Sequence, residues 1–224
     1  MAEFLRDLVE NNIDPDDQIF NYLCKVDVKR IQSLLRRLDL IRAFDATSVA
    51  RARTKQHKYP TKASTQAQRS RLLGKTLETL MLSMLRGCRG IEIGANLRST
   101  TSEIDFMVQV NTLAFAIPFF KDAAPHLIGE AKCYTTGFKS EWVNELVGLM
   151  NVHNTKHSII FTACPSKNLR TDHRQLLQIH NARGDRVIPF GLAQVTQIAN
   201  GANFLKVLSN QYVKVLNSTT DLTI

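Results

Sequence analysis

Glu130 and Lys132 stand two residues apart in the run His126-Leu127-Ile128-Gly129-Glu130-Ala131-Lys132-Cys133, which Pro125 opens and Thr135-Thr136-Gly137 closes. A short run between such breakers reads as an extended strand, and in a strand alternate side chains share a face. Ile128, Glu130 and Lys132 therefore fall on one side. Leu127, Gly129, Ala131 and Cys133 form a small, apolar other side suited to burial against a helix. Upstream, Glu103-Ile104-Asp105-Phe106-Met107-Val108-Gln109-Val110 alternates in the same way, with Asp105 at its polar start. If the two strands are neighbours, Asp105 comes beside Glu130. Two carboxylates hold Mg²⁺ through oxygens at about 2.0–2.1 Å and leave its other positions to water and a substrate phosphate. An ammonium at the same point orients the attacking water or neutralises charge growing on the phosphate. Phosphodiester hydrolysis needs both functions.

Each of these residues has a plainer alternative. Two charges two residues apart arise by chance on any half-exposed strand. Asp105 has a rival in Glu103, on the same face; order and spacing favour Asp105. Glu78 lies in an apolar helix among Leu77, Leu80, Met81, Leu82, Met84 and Leu85. A carboxylate on such a surface is costly unless it is paired or holds a metal, and the plain alternative is a helix-edge glutamate favoured by the helix dipole.

The elements around these residues have a recognisable order. Gly74-Lys75-Thr76-Leu77-Glu78 opens a helix that runs to about Arg86. After Lys132 come a helix from Trp142 to Val152, a strand Ile159-Ile160-Phe161-Thr162, another helix, and the strand Val187-Ile188-Pro189-Phe190. The arrangement resembles the PD-(D/E)xK nuclease superfamily over roughly residues 70 to 209, most closely its Mrr-like restriction endonucleases. It departs in having Ile104, rather than proline, before the first acidic residue.

The resemblance implies an α/β, restriction-endonuclease-like core: a central mixed sheet flanked by helices, in the order α-β-β-β-α-β. It also implies a Mg²⁺ cofactor, for which Mn²⁺ substitutes, held by Asp105, Glu130 and the Ala131 backbone carbonyl. Lys132 is then the water-orienting group and Glu78 an auxiliary ligand or water-positioning group. Double-strand cleavage by one site per chain implies a homodimer.

Length and charge bound the remainder. The 224 residues, 44% hydrophobic, suffice for one substantial domain and a small appendage. No apolar run approaches a membrane span, and the N-terminus, with Glu3, Asp7 and Glu10, is not a signal peptide. The four cysteines, Cys24, Cys88, Cys133 and Cys164, are scattered without a C-x-x-C pair, which argues against a zinc knuckle or a disulfide framework and fits a reducing, cytoplasmic setting. The net charge of +9 is uneven: residues 25 to 75 carry 14 Lys or Arg against three acids, a local +11 that leaves −2 for the rest. Clustered cations neutralise phosphates and release counterions, the main sequence-independent source of nucleic-acid affinity.

Three units follow: a helical module over 1–46, a basic linker or arm over 47–70, and a nuclease domain over 71–224. In the first, Asp14-Pro15 starts a helix through Leu23, and Asp27 caps another from Val28 to about Ile41. Val28, Ile31, Leu34, Leu35 and Leu38 make the apolar stripe of the second, with Lys29, Arg30, Ser33, Arg36 and Arg37 opposite. The pair resembles a helix-turn-helix or winged-helix module; a plain helical bundle with a solvated basic face fits equally. The arm adds Arg51, Arg53, Lys55, Lys58, Lys62 and Arg69 as candidate DNA contacts, with Arg71 just beyond it, or serves as a solubilising linker. Trp142, at helical spacing with Leu146 and Met150, belongs to the core, and His153 with His157 lacks a third ligand for zinc. Three functional classes remain open: a restriction or defence endonuclease on duplex DNA, a structure-selective nuclease for branched or repair DNA, and a non-catalytic DNA-binding protein on a nuclease fold.

Overall fold

The computed structural model describes residues 15–43, 66–98, 103–133, 138–163 and 169–217. Helices α1 (Pro15–Leu23), α2 (Val28–Ala43) and α3 (Gln66–Leu85) precede strands β1 (Ile91–Arg98) and β2 (Glu103–Val110). A 3₁₀ turn (Thr112–Ala116) and α4 (Pro118–Ala123) lead to β3 (His126–Lys132). The chain then alternates: α5 (Ser140–Val152), β4 (His157–Thr162), α6 (Thr171–Ala182), β5 (Arg186–Phe190), and finally α7 (Leu192–Ala199) and α8 (Phe204–Leu216). The five strands form one mixed sheet in the order β1-β2-β3-β4-β5, flanked by helices. β1, β2 and β3 pair antiparallel, whereas β3, β4 and β5 pair parallel. Parallel neighbours need a crossover, and α5 and α6 supply the two here. Every residue of β4 is buried, as expected of a strand covered on both faces.

The sheet carries an aromatic chain on one face. Phe106 of β2 meets Phe161 of β4 edge-on at 6.0 Å between centroids, Phe161 meets Phe190 of β5 at 5.1 Å, and Phe190 meets Phe204 of α8 at 5.7 Å. Tilted and edge-to-face pairs of this kind add to the area they bury. Phe106 reaches Phe161 across β3 because the β3 residue opposite it is Gly129. A Cβ on Gly129 would lie 1.6 Å from the tip of the Phe106 ring. The Gly129→Ala substitution is therefore expected to destabilise by about 3 kcal/mol, the upper end of overpacking costs, read as a lower urea midpoint. An unchanged midpoint would mean that the ring yields freely.

The other face of β3 and β4 receives α5, whose Trp142, Val143, Leu146, Val147 and Met150 are buried. Ser158 of β4 donates to the Met150 sulfur at 3.1 Å across this contact. Trp142, 5% exposed, is a core residue.

The N-terminal helices join the same core. Ile31, Leu38 and Ile41 of α2 are buried in one cluster with the apolar side of α3, and α2 packs against α3 and α7. Asp27 caps α2, its carboxylate accepting from the Arg30 N–H at 3.0 Å. Gln32 donates to the Ala199 carbonyl at 2.7 Å, and Asn203 donates to the Phe20 carbonyl at 3.0 Å, so both helices are tied to the C-terminal part of the chain. The helix placed at Gly74 by its sequence begins at Gln66 instead. Its first turns are polar and lack an apolar period. Arg69 in this extension donates to the carbonyls of Ile41 and Arg42, closing the C-terminus of α2, where a cation also suits the helix dipole.

The opposite end of β4 holds a buried polar knot. His157, 8% exposed, is packed by Phe119 of α4 and Tyr212 of α8. Tyr212 donates to Asp122 of α4 at 2.7 Å, and Arg186 of β5 pairs with His157 in the strand register. Burial drives the His157 pKa down to about 4, with Asp122 opposing and Arg186 adding to the shift. The folded state thus holds the ring neutral, while the unfolded chain takes up its proton below the ordinary value of 6.5. Stability is expected to be full above pH 6.5 and to decline by on the order of 3 kcal/mol toward pH 4. Urea unfolding across that range measures it, and His157→Gln should flatten the slope; an equal slope in the variant would assign it to other groups.

Candidate active site

The site forms where the β2–β3 ladder stops. Its last paired step is Phe106 with Gly129, so the next residues, Asp105 and Glu130, face each other on the sheet side that α5 covers. The Ala131 N–H, which a longer ladder would have joined to β2 backbone, donates to the Asp105 carboxylate at 2.6 Å. On the β4 side the Lys132 carbonyl accepts from the Ala163 N–H at 3.3 Å. Carbonyls alternate sides along a strand, which turns the Ala131 carbonyl toward Asp105.

Lys132 emerges on the same face as Glu130 and pairs with it at 3.0 Å between Nζ and Oε1. A second carboxylate, Glu145 of α5, reaches the same ammonium at 3.4 Å. Glu130 and Lys132 are only 15% and 18% exposed at their side chains, whereas Glu145 is 60% exposed. Burial, then the charge of Asp105, lifts the Glu130 pKa above the ordinary carboxylate value, and Lys132 offsets part of the rise. Burial works against the charge on Lys132, yet Glu130 and Glu145 carry its pKa above the usual lysine value. The site therefore contains a firmly protonated ammonium and a strained carboxylate. Glu130 Oε2 is buried and has no hydrogen-bond partner among the described residues.

That orphaned oxygen, the facing carboxylate and the turned carbonyl suit a small divalent cation. Among the described residues no three His, Cys, Asp or Glu side chains group as metal ligands, so the fit is to an ion content with two carboxylates and otherwise water or phosphate. Mg²⁺ behaves in this way, and a caged structural Zn²⁺ does not.

Asp105, Glu130 and Lys132 are thus brought together. Glu78 lies half-buried on α3, the helix packed along β3 and β4. Glu145 is the residue that sequence reasoning missed. Its helix offers Glu141 and Glu145 one turn apart, and only the contact with Lys132 selects the second. Of the candidate DNA contacts, Lys29, Arg30, Ser33, Arg36 and Arg37 are all exposed along one side of α2, and Arg71 is exposed on α3. Lys29, Ser33, Arg36 and Arg37 line an open groove with Gln32, Leu34 and Leu40. Arg69 is engaged at the end of α2. Arg51, Arg53, Lys55, Lys58 and Lys62 lie outside the described residues.

No protein-family model matches the chain, and no curated protein matches it. Among solved structures it is similar to "Metal-depleted Ecl18kI in complex with uncleaved, modified DNA", a restriction endonuclease, at 15% identity and a TM-score of 0.40. The match covers 80% of this chain, which spans 60% of that one. No helix among the described residues is long and apolar enough to cross a membrane.

Proposed function

We propose that the protein is a metal-dependent DNA endonuclease of restriction or defence type. The observation that carries this reading is the grouping of Asp105, Glu130 and Lys132 at a Glu130 carboxylate whose buried Oε2 no group among the described residues satisfies. Asp105, Glu130 and the Ala131 carbonyl would hold Mg²⁺, and Mn²⁺ would substitute for it. When bound, the ion supplies Lewis-acid polarisation of the phosphate and a more acidic water. Lys132, kept charged by Glu130 and Glu145, orients the attacking water and balances the negative charge that grows on the phosphate oxygens. Glu78 acts as an auxiliary positioning group.

DNA is held by the basic side of α2, through Lys29, Arg30, Ser33, Arg36 and Arg37, together with Arg71 and the cationic segment that carries Arg51, Arg53, Lys55, Lys58 and Lys62. A local charge of +11 over residues 25 to 75 favours a polyanionic partner. Cutting both strands calls for two such sites, hence a two-fold pair of chains.

The test is a cleavage assay over duplex, methylated, branched and single-stranded DNA with Mg²⁺, Mn²⁺ or chelator. Cleavage that appears with metal and stops with chelator supports the reading; none on any substrate sinks it. Preference for branched over linear duplex would move the assignment to a structure-selective nuclease. Replacing Lys29, Arg30, Arg36 and Arg37 by Gln should flatten the salt dependence of binding by up to about 3.6 in log–log slope, roughly 0.9 for each phosphate left without its cation; an unchanged slope would remove α2 from the interface.

A further inference from the structure

Cys24 and Cys88 are 64 residues apart in the chain yet face each other in an isolated antiparallel bridge. Cys24 follows the last turn of α1, and Cys88 follows α3. The flanking backbone groups are paired: the Arg89 N–H donates to the Leu23 carbonyl at 2.7 Å, and the Lys25 N–H donates to the Gly87 carbonyl at 2.9 Å. With the bonds on the flanking residues, Cys24 and Cys88 form the non-hydrogen-bonded type of pair, whose Cα atoms lie about 4.5 Å apart. That spacing falls within the disulfide range of about 4.4–6.8 Å. The sulfurs are 3.6 Å apart, and the Cys88 thiol donates to Cys24. Both are free thiols. Closing the bond requires side-chain rotation and no backbone movement.

We propose that Cys24 and Cys88 are a modification site: a thiol pair that peroxide converts to a reversible disulfide, pinning the helices that bear the basic face to the helix that leads into the catalytic sheet. The two thiols have unequal roles. The hydrogen bond from Cys88 brings the Cys24 thiol below its ordinary range, and burial pushes Cys88 up. Cys24, the better thiolate, attacks one oxygen of hydrogen peroxide; the O–O bond breaks, leaving Cys24 sulfenic acid and hydroxide, which takes up the thiol proton as water. The Cys88 sulfur then attacks the Cys24 sulfur, the S–O bond breaks, and its hydroxyl leaves with the Cys88 proton as a second water. Two thiols lose two electrons and two protons, and peroxide is reduced to two waters. The thiols are 4% and 8% exposed, which suits an oxidant of this size over a protein partner.

Cys133→Ser/Cys164→Ser in the full chain leaves this pair as the protein's sole thiols. After hydrogen peroxide and quenching under native conditions, the denatured protein should take up no alkylating reagent and weigh two hydrogens less. It should migrate as a monomer on a non-reducing gel and recover both thiols with dithiothreitol. Closing a loop of this length should raise Tm by on the order of 10 °C. Adding Cys24→Ser should leave Cys88 alkylatable after the same treatment and cancel the Tm rise. Two alkylatable thiols after peroxide, oxygen adducts in place of the bond, or covalent dimers would each overturn the proposal. All these readouts are independent of DNA cleavage.

Discussion

Lys132→Ala and Asp105→Ala are each expected to lower the rate of DNA cleavage by at least about 10³-fold while leaving DNA affinity within a few fold. The magnitude follows from the place of each group. One donor that stabilises transition-state charge contributes about 10²–10³ in rate, and Lys132 is also the ion-pair partner of Glu130. Affinity is spared on the proposed reading, in which binding rests on the many cations outside the site. Two conservative variants separate charge from architecture. Asp105→Asn keeps an oxygen to accept from the Ala131 N–H but removes the negative charge, so it should fold like the parent and still fail to cleave. Lys132→Arg keeps the charge but replaces a compact ammonium with a wider planar group, and its activity should stay near that of Lys132→Ala. Single-turnover cleavage with saturating enzyme reads the chemical step directly. Parental rates for Lys132→Ala and Asp105→Ala would move the chemistry elsewhere in the chain.

The parts of this site that are legible in the sequence are those written in period-two alternation. Glu103–Val110 is the strand expected from its pattern, and His126–Lys132 differs from the expected run by one residue. In β2 a half-buried face makes alternate residues differ in burial, while in β3, buried from Leu127 to Gly129, only the charged pair Glu130 and Lys132 around Ala131 keeps that contrast. β1 has no such signature. It pairs along a single neighbour, β2, and Gly94 and Ala95 interrupt the alternation begun by Ile91, Glu92 and Ile93. The first turns of α3 are hidden for a related reason. Gln66 to Ser70 have no apolar period, and Arg69 is fixed by the end of a helix about 28 residues away in the chain.

Side-chain meetings across elements leave even less trace. Nothing in spacing distinguishes Glu145 from Glu141 as the partner of Lys132, and nothing pairs Cys24 with Cys88 among four scattered cysteines. Gly129 lies between these cases. It stands beside Glu130 in a motif read for its charges, yet its own role is to make room for the Phe106 ring, and thereby to bring β2 close enough for Asp105 to face Glu130. Charge patterns disclose which groups would react, while packing decides which of them meet.

Glu130→Gln should separate stability from metal binding in opposite directions. A carboxyl whose pKa rises on folding costs stability at every pH above that pKa, because the unfolded chain ionises it more easily. Glu130 is in this position, pushed up first by burial and then by Asp105. The neutral amide relieves both effects and leaves Lys132 paired with Glu145, so metal-free Glu130→Gln should melt at or above the parent. Divalent ions reverse the order. Excess Ca²⁺ or Mg²⁺ at about 100 times its dissociation constant stabilises a folded binder by about 2.7 kcal/mol, a Tm rise of roughly 5–10 °C for a chain of this size. The parent should show that rise and Glu130→Gln should lose most of it, with cleavage lost as well. A metal-free variant that melts well below the parent would show that Glu130 serves Lys132 as a structural ion-pair partner. An undiminished metal shift would place the ion elsewhere. The expected pattern is that of a carboxylate held at a cost to the fold because the ion it awaits repays it.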